Sequence, residues 1–383
     1  MRAAPQVPTA AVTADSKLHL ERIDVLRAVA IIAVFLLHWF GYAHGTDHLE
    51  WNGLVRDPST APAASFMAFF PMSFGWMGVP LFFIISGFCI HASALKNNEL
   101  RIGSFFWRRF WRIYPPYVAA LLLAILLAGT DVTTPEGRAQ LWSHLLLVHN
   151  FRAEWIFVFN GVFWSLAVEA QLYLLYPLLW KMRHHWGIGT ALMVTLLLSI
   201  AGRIVAAGFF TNWNEELSGP MWTSPVFLWF DWALGAFLAE RYLQGARVFP
   251  INAALRWLAL AIVVCSTFTK PTAIFAFSFA SVFCAMAAES YLWRKRSLSR
   301  IELWLVPLGL CSYSFYLLHY PLVPILADQL RRLPGLVSPP ALILAAPLAI
   351  LAVAAVSFLA YLGIERGSIN LGRALLLTAR RGP

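Results

Sequence analysis

The sequence predicts an all-α integral membrane protein with about ten transmembrane helices, one short re-entrant or interfacial segment, and both termini cytoplasmic. Three observations carry that expectation. Of 383 residues, 60% are hydrophobic and 13% charged, against about 45–50% and about 25% in soluble domains; the mean hydropathy is +0.66. The apolar residues are gathered into long runs, near the ~20 residues that cross a bilayer. The net charge of +10 is spread unevenly along the chain, as the positive-inside rule requires. Together these exclude a soluble enzyme and a disordered chain, and they give the basic charge a use other than nucleic-acid binding.

Residues 1–20 carry Pro, Thr, Asp and Lys without an apolar core, so a flexible cytoplasmic N-terminus with no cleavable signal is expected. Apolar runs then mark spans near 25–45, 73–95, 113–129, 163–181, 188–208, 224–241, 253–270, 273–292, 305–328 and 340–363. These make one transmembrane domain over 21–366, followed by a cytoplasmic tail, 367–383. Residues 141–148 are apolar but too short to cross. With the N-terminus inside, twenty of the 29 basic residues fall in inner loops and tails and six in outer loops. A crossing at 141–148 would invert the later loops and put Arg294, Lys295 and Arg296 outside. The four cysteines (Cys89, Cys265, Cys284, Cys311) lie in apolar runs without metal-ligand or disulfide spacing, and read as small buried hydrophobes.

Ionisable groups at bilayer depth are the informative positions, because each is costly unless paired or hydrated. In the first span Arg27 and His38 are eleven residues apart, about three turns and about 16 Å, so they share a face. A plain interfacial histidine beside Trp39 is the competing reading. The second span places Ser86 and Gly87 in its inner half, where small residues admit a close backbone or a slender ligand. The loop after it brings Arg108, Arg109 and Arg112 into helical spacing with aromatic residues between and a Tyr-Pro-Pro stop behind. Guanidinium groups of this kind bind phosphate; a positive-inside anchor without a ligand is the alternative. Glu169 lies in the outer half of the fourth span and His319 in that of the ninth. His38, Glu169 and His319 thus fall at one level, as the walls of a polar cavity would. Arg203 and Asp231 read as structural, with Glu169 or a lipid headgroup as partners for Arg203.

Five segments together resemble the membrane-bound acyltransferase 3 family: Arg27-x10-His38, GWMGVPLFFIISGF (75–88), FFWRRFWRIYPPY (105–117), WSLAVEAQLYLLYP (164–177) and SYSFYLLHYPLV (312–323). They follow family order over about 20–366. The resemblance implies an enzyme of the bacterial inner (plasma) membrane, without a bound cofactor or metal. Its substrates would be acyl-CoA, commonly acetyl-CoA, on the cytoplasmic side and a glycan or glycolipid hydroxyl on the other. It implies catalytic roles for His38 and Glu169. Arg27, Ser86, Arg108, Arg109 and Arg112 would bind the donor, and Trp164, Ser165, Tyr173 and His319 would support the acceptor side. Beyond the bilayer, an oligomer is admitted but not required, and no nucleic-acid partner is expected. Pro80 departs from the family pattern and is expected to bear on local kinking alone, and no appended extracytoplasmic hydrolase-like domain of the SGNH type is expected. A proton-coupled transporter or flippase would use buried His, Glu and Arg equally well. Such a protein has less need of an arginine cluster at one mouth. Outer loops 46–64, 130–162, 209–223 and 329–339 are the expected seat of acceptor specificity.

Overall fold

The computed structural model describes residues 14–46, 49, 70–96, 99–210, 217–333 and 338–381. Asp47, Glu50, Trp51 and Asp57, singled out as acidic or aromatic positions of the first outer loop, lie outside the described residues. The described residues are helical with no strand. The principal helices are α1 (Ala14–His44), α2 (Gly78–Lys96), α3 (Ile102–Ala128), α4 (Pro135–Leu145), α5 (Phe163–Trp186) and α6 (Ile188–Ala207). After them come α7 (Pro225–Leu243), α8 (Ala253–Ser266), α9 (Ala276–Leu292), α10 (Arg300–Leu310), α11 (Ser312–Arg331), α12 (Ala346–Ala360) and α13 (Arg366–Arg381).

Each expected span coincides with a helix, yet only five helical segments are by themselves long and apolar enough to cross a membrane, and a sixth if the bent pair α10–α11 counts as one. Helix α8 has 14 residues and α9 has 17, which at 1.5 Å per residue is less than the ~30 Å hydrocarbon core. Helices α5 and α7 are long enough, but they carry Glu169, Asp231 and Glu240 in their interiors. They are the least lipid-like because they build the polar centre.

Two expectations are corrected in detail, and the two ends of the chain are described after them. The Tyr-Pro-Pro sequence does not stop a helix: α3 runs from Ile102 through Pro115 and Pro116. Pro115 has no N–H for the Trp111 carbonyl, and Ser368 Oγ supplies the missing donor at 2.8 Å. The span expected at 305–328 is broken by 77° between α10 and α11, downstream of Pro307 and Gly309, which weaken the helix there. Residues 14–20, expected as part of a flexible N-terminus, begin α1. Residues 367–381, expected as a tail, belong to α13, which follows a π turn over Tyr361–Glu365. Trp107 Nε1 donates to Gly372 O at 2.8 Å and ties α13 to α3.

The core joins α1, α2, α5, α7 and α11. Gly87 and Gly235 allow the closest approach within it: a Cβ on Gly87 would lie 2.1 Å from Trp232 O, and one on Gly235 would lie 2.1 Å from Ile84 O. Segment 135–151 holds only α4 and a 3-10 turn, too short to cross. Of the cysteines, Cys284 and Cys311 are buried as expected, whereas Cys265 is exposed on the outer face of α8 and Cys89 is half-buried beside Arg27.

Candidate active site

The polar interior is organised as two cavities with a hydrogen-bonded septum between them. On the side of the arginines, a cavity of about 270 Å³ is lined by Ser93, Glu99, Arg101, Ser104, Arg108 and Arg109 among others. Helix α3 delivers Arg108 and Arg109 on successive positions, and the deeper guanidinium of Arg109 lies 5.8 Å from the Phe105 ring centre and 5.7 Å from that of Tyr173. Its Nε has no hydrogen-bond partner among the described residues. Arg27 is paired with Asp24 at 2.9 Å and approaches Cys89 Sγ at 3.6 Å. Arg109 and Arg112 act on each other electrostatically. Arg27, Arg109 and Arg112 thus gather where α1 and α3 meet, and among the described residues only Arg27 has a direct carboxylate partner, so the direct pairing of the other two falls short. That deficit favours an anionic ligand.

The septum is built by α2, α5 and α7. Glu169 Oε1 accepts from Ser86 Oγ at 2.6 Å and from Tyr173 Oη at 2.5 Å, and Ser86 Oγ accepts from Trp232 Nε1 at 3.2 Å. Glu169 therefore joins α5 to α2 at this level. It sits one turn of α5 below Ser165, and its hydrogen bonds go to Ser86 and Tyr173. Tyr173, expected on the acceptor side or in a supporting role, lies between Glu169 and the Arg109 guanidinium. The backbone contact at Gly87 brings α2 and α7 together at this level, which lets Trp232 Nε1 reach Ser86 Oγ.

The second cavity, about 520 Å³ and called the outer one after the expected topology, has His38 and Tyr316 on its wall with Trp76, Trp164, Trp222 and Arg203. The two cavities share no described lining residue. Helix α11, redirected by the break before it, supplies Tyr316 and His319. Tyr316 Oη meets Ser165 Oγ at 2.7 Å, and the His319 ring lies 5.4 Å from the His38 ring, centre to centre. His319 is fully buried behind His38 and does not stand at the cavity mouth. Its Nδ1 is 2.8 Å from the Tyr316 carbonyl. A carbonyl can only accept, so Nδ1 carries the hydrogen and Nε2 presents a lone pair; that Nε2 has no partner among the described residues. Tyr320 closes the other side of His38 with ring centres 5.2 Å apart.

Arg203 pairs with neither Glu169 nor solvent. Its Nη2 donates to Phe227 O at 3.2 Å, its Nε to Ser199 Oγ at 3.3 Å, and its Nη1 to Ile274 O. Asp231 is fully buried nearby. Among the described residues there is no group of three or more metal-ligating side chains.

Sequence reasoning thus finds His38, His319, Ser165 and Trp164 on one side of the septum and Arg27, Arg108, Arg109 and Arg112 on the other. It does not foresee the bonds that join Ser86, Glu169 and Tyr173, and it passes over Asp24, Tyr316 and Glu365. Asp24 precedes Arg27 by three residues, the spacing of a helical ion pair. Glu365 was within reach of the intramembrane-carboxylate rule, but it falls two residues beyond the expected end of the last span.

Comparison with known proteins adds the following. The family model described as an acyltransferase domain matches residues 20–362. O-acetyltransferase OatA of Staphylococcus aureus (strain NCTC 8325 / PS 47) is 23% identical over 338 residues, covering 80% of this chain and 51% of the relative. Peptidoglycan O-acetyltransferase OatA of Listeria monocytogenes is 27% identical over 184 residues, covering 43% and 25%. Acyltransferase MdmB of Streptomyces mycarofaciens is 29% identical over 323 residues, covering 78% and 80%. The chain spans about half, or less, of the OatA proteins it matches. No solved structure matches it.

Proposed function

Because the chain belongs to the acyltransferase 3 family, we propose that it moves an acyl group, acetyl, from acyl-CoA to a hydroxyl of a glycan or glycolipid. The donor enters from the cytoplasm and the acceptor from the far side of a bacterial inner membrane, with both termini cytoplasmic. The carrying observation is His38: a titratable ring on the wall of the outer cavity, backed by the open Nε2 of His319, on the same helix as Arg27 of the arginine cluster. The names of the O-acetyltransferase relatives support a glycan hydroxyl as acceptor.

In this reading the phosphates of coenzyme A meet Arg27, Arg108, Arg109 and Arg112. The phosphopantetheine arm displaces the Ser86–Glu169–Tyr173 bonds and carries the thioester across the septum, a path comparable to the ~16 Å of helix between Arg27 and His38. His38 then takes the proton of the acceptor hydroxyl as its oxygen attacks the thioester carbon, or carries the acyl group itself before handing it to that oxygen. Either course breaks the carbon–sulfur bond and releases coenzyme A as thiol. In the same reading His319 Nε2, whose ring centre lies 5.4 Å from that of His38, accepts a proton relayed from His38. Trp164 and the other aromatic faces of the cavity suit a sugar ring.

The test is thiol release from acetyl-CoA by purified protein in detergent. Sustained release that disappears in His38→Ala supports the reading. Release unchanged in that variant removes His38 from the chemistry, and uptake driven by a pH gradient without thiol release favours a transporter.

A further inference from the structure

The π turn at the end of the last apolar helix carries a carboxylate that the mechanism above does not use. Glu365 is 2% exposed, and its Oε2 accepts from Ser314 Oγ at 2.7 Å. A π turn fits one extra residue into the helical register and recurs where a side chain must be aimed out of register. Here it turns Glu365 toward the start of α11. A buried carboxylate held by a single serine is expensive unless cations lie close by. They do: Arg112 and Arg27 both act on it electrostatically, and Arg27 experiences it in turn.

The arrangement differs from a salt bridge in a useful way. Arg27 already has Asp24 as its direct partner. Arg112 has no direct ion pair among the described residues, and Arg109 presents an unbonded Nε. Arg109 and Arg112 repel one another. A carboxylate in contact with them would relieve that repulsion but occupy the donors that a phosphate needs. Glu365, held back by Ser314, relieves it from a distance and leaves the N–H groups open. One turn further along, Ser368 fastens the same segment to the Trp111 carbonyl, next to Arg112 in sequence, so carboxylate and arginine belong to one rigid unit.

We propose that Glu365 is a positioning residue for the donor: its carboxylate, fixed by Ser314, holds Arg27 and Arg112 in the orientation that receives the phosphates of a nucleotide-bearing thioester. This rests on the proposed use of acyl-CoA, and it is tested by binding, without transfer. The probes are coenzyme A and adenosine 3′,5′-bisphosphate, which has the phosphates but no acyl-carrying arm, titrated into the purified full-length chain in detergent.

Glu365→Gln keeps the volume and the Ser314 hydrogen bond but removes the charge. It is expected to weaken both ligands by about tenfold or more, equivalent to about 1.4 kcal/mol. Ser314→Ala keeps the charge but frees it, and a loss of about threefold is expected. Glu365→Asp should recover part of the affinity lost in the glutamine variant. Unchanged or tighter binding in Glu365→Gln, with wild-type binding intact, overturns the inference and leaves the proposed function standing. If wild type binds neither probe, the donor assignment falls and this one with it. If Glu365→Gln does not fold, Ser314→Ala decides: wild-type affinity in that variant overturns the inference. Binding that behaves as expected without any transfer would sink only the proposed chemistry.

Discussion

His38 and His319 differ in what their surroundings allow. His38 reaches the outer cavity, whereas His319 is sealed behind it with Nδ1 committed to a backbone carbonyl. The first ring can meet a substrate and the second can only act through the first. His38→Ala should therefore cost the full contribution of a general base, about 10²–10⁴-fold in kcat, with the chain still monodisperse in detergent. His319→Gln should lower kcat less and leave the donor KM within about twofold, because it touches neither substrate. Steady-state thiol release against acetyl-CoA concentration measures both. Ser86 sets a different test. A larger side chain there fills the septum, so Ser86→Leu should bind coenzyme A normally yet lose transfer by about 10²-fold, the size of effect expected when reacting groups no longer meet. Equal loss of binding and transfer would show that the arm does not pass Ser86.

At the scale of helices, the septum depends on how closely α2 and α7 approach. Gly87→Ala puts a methyl group 2.1 Å from Trp232 O, a contact only a backbone shift can relieve. Overpacking of this kind costs about 1–3 kcal/mol, and a fall of several degrees in apparent Tm is expected in a thermal unfolding series. Much of this architecture was legible in the chain: every expected span contains a helix, and the small residues Ser86 and Gly87 do lie at a tight crossing. What was not legible has a common cause. Helix α3 continues through Pro115 because Ser368, over 250 residues away in sequence, satisfies the freed carbonyl, and no local pattern encodes that. The 77° break before α11 likewise decides which way Tyr316 and His319 point. Glu169 was singled out by its residue type, but its partners Ser86 and Tyr173 come from contacts between helices and within α5 that no hydropathy pattern encodes. Hydropathy alone under-reads α5 and α7 because the residues that make them useful make them less apolar.

For the whole molecule, the segment outside the spanning helices offers a handle on pH. His144 and His149 stack with ring centres 3.9 Å apart and planes within 3°. Burial lowers the pKa of His144 to about 4. Burial, and then the neighbouring His144, lowers that of His149 to about 3. Both rings are neutral in the folded protein, whereas an unfolded histidine titrates near 6.5. Between those values the unfolded chain binds more protons, so stability is complete above about pH 7 and falls as pH drops through 6.5 toward 4. Apparent Tm measured from pH 7.5 to 5 should decline in wild type and decline less in the His144→Phe/His149→Phe double variant. Equal slopes would mean that the stacked pair does not titrate on unfolding.

The two cavities are distinct, and the septum between them is the point that acyl transfer must cross. The most direct measurement places acetyl-labelled acetyl-CoA on the arginine side of sealed proteoliposomes and a soluble glycan acceptor on the other. Labelled ester on the acceptor, with an equal amount of free coenzyme A thiol retained on the donor side and both absent in His38→Ala, is the expected result. Ester formed only on the donor side, or labelled acetyl-CoA crossing intact with no free thiol, would contradict a handover across the septum at His38.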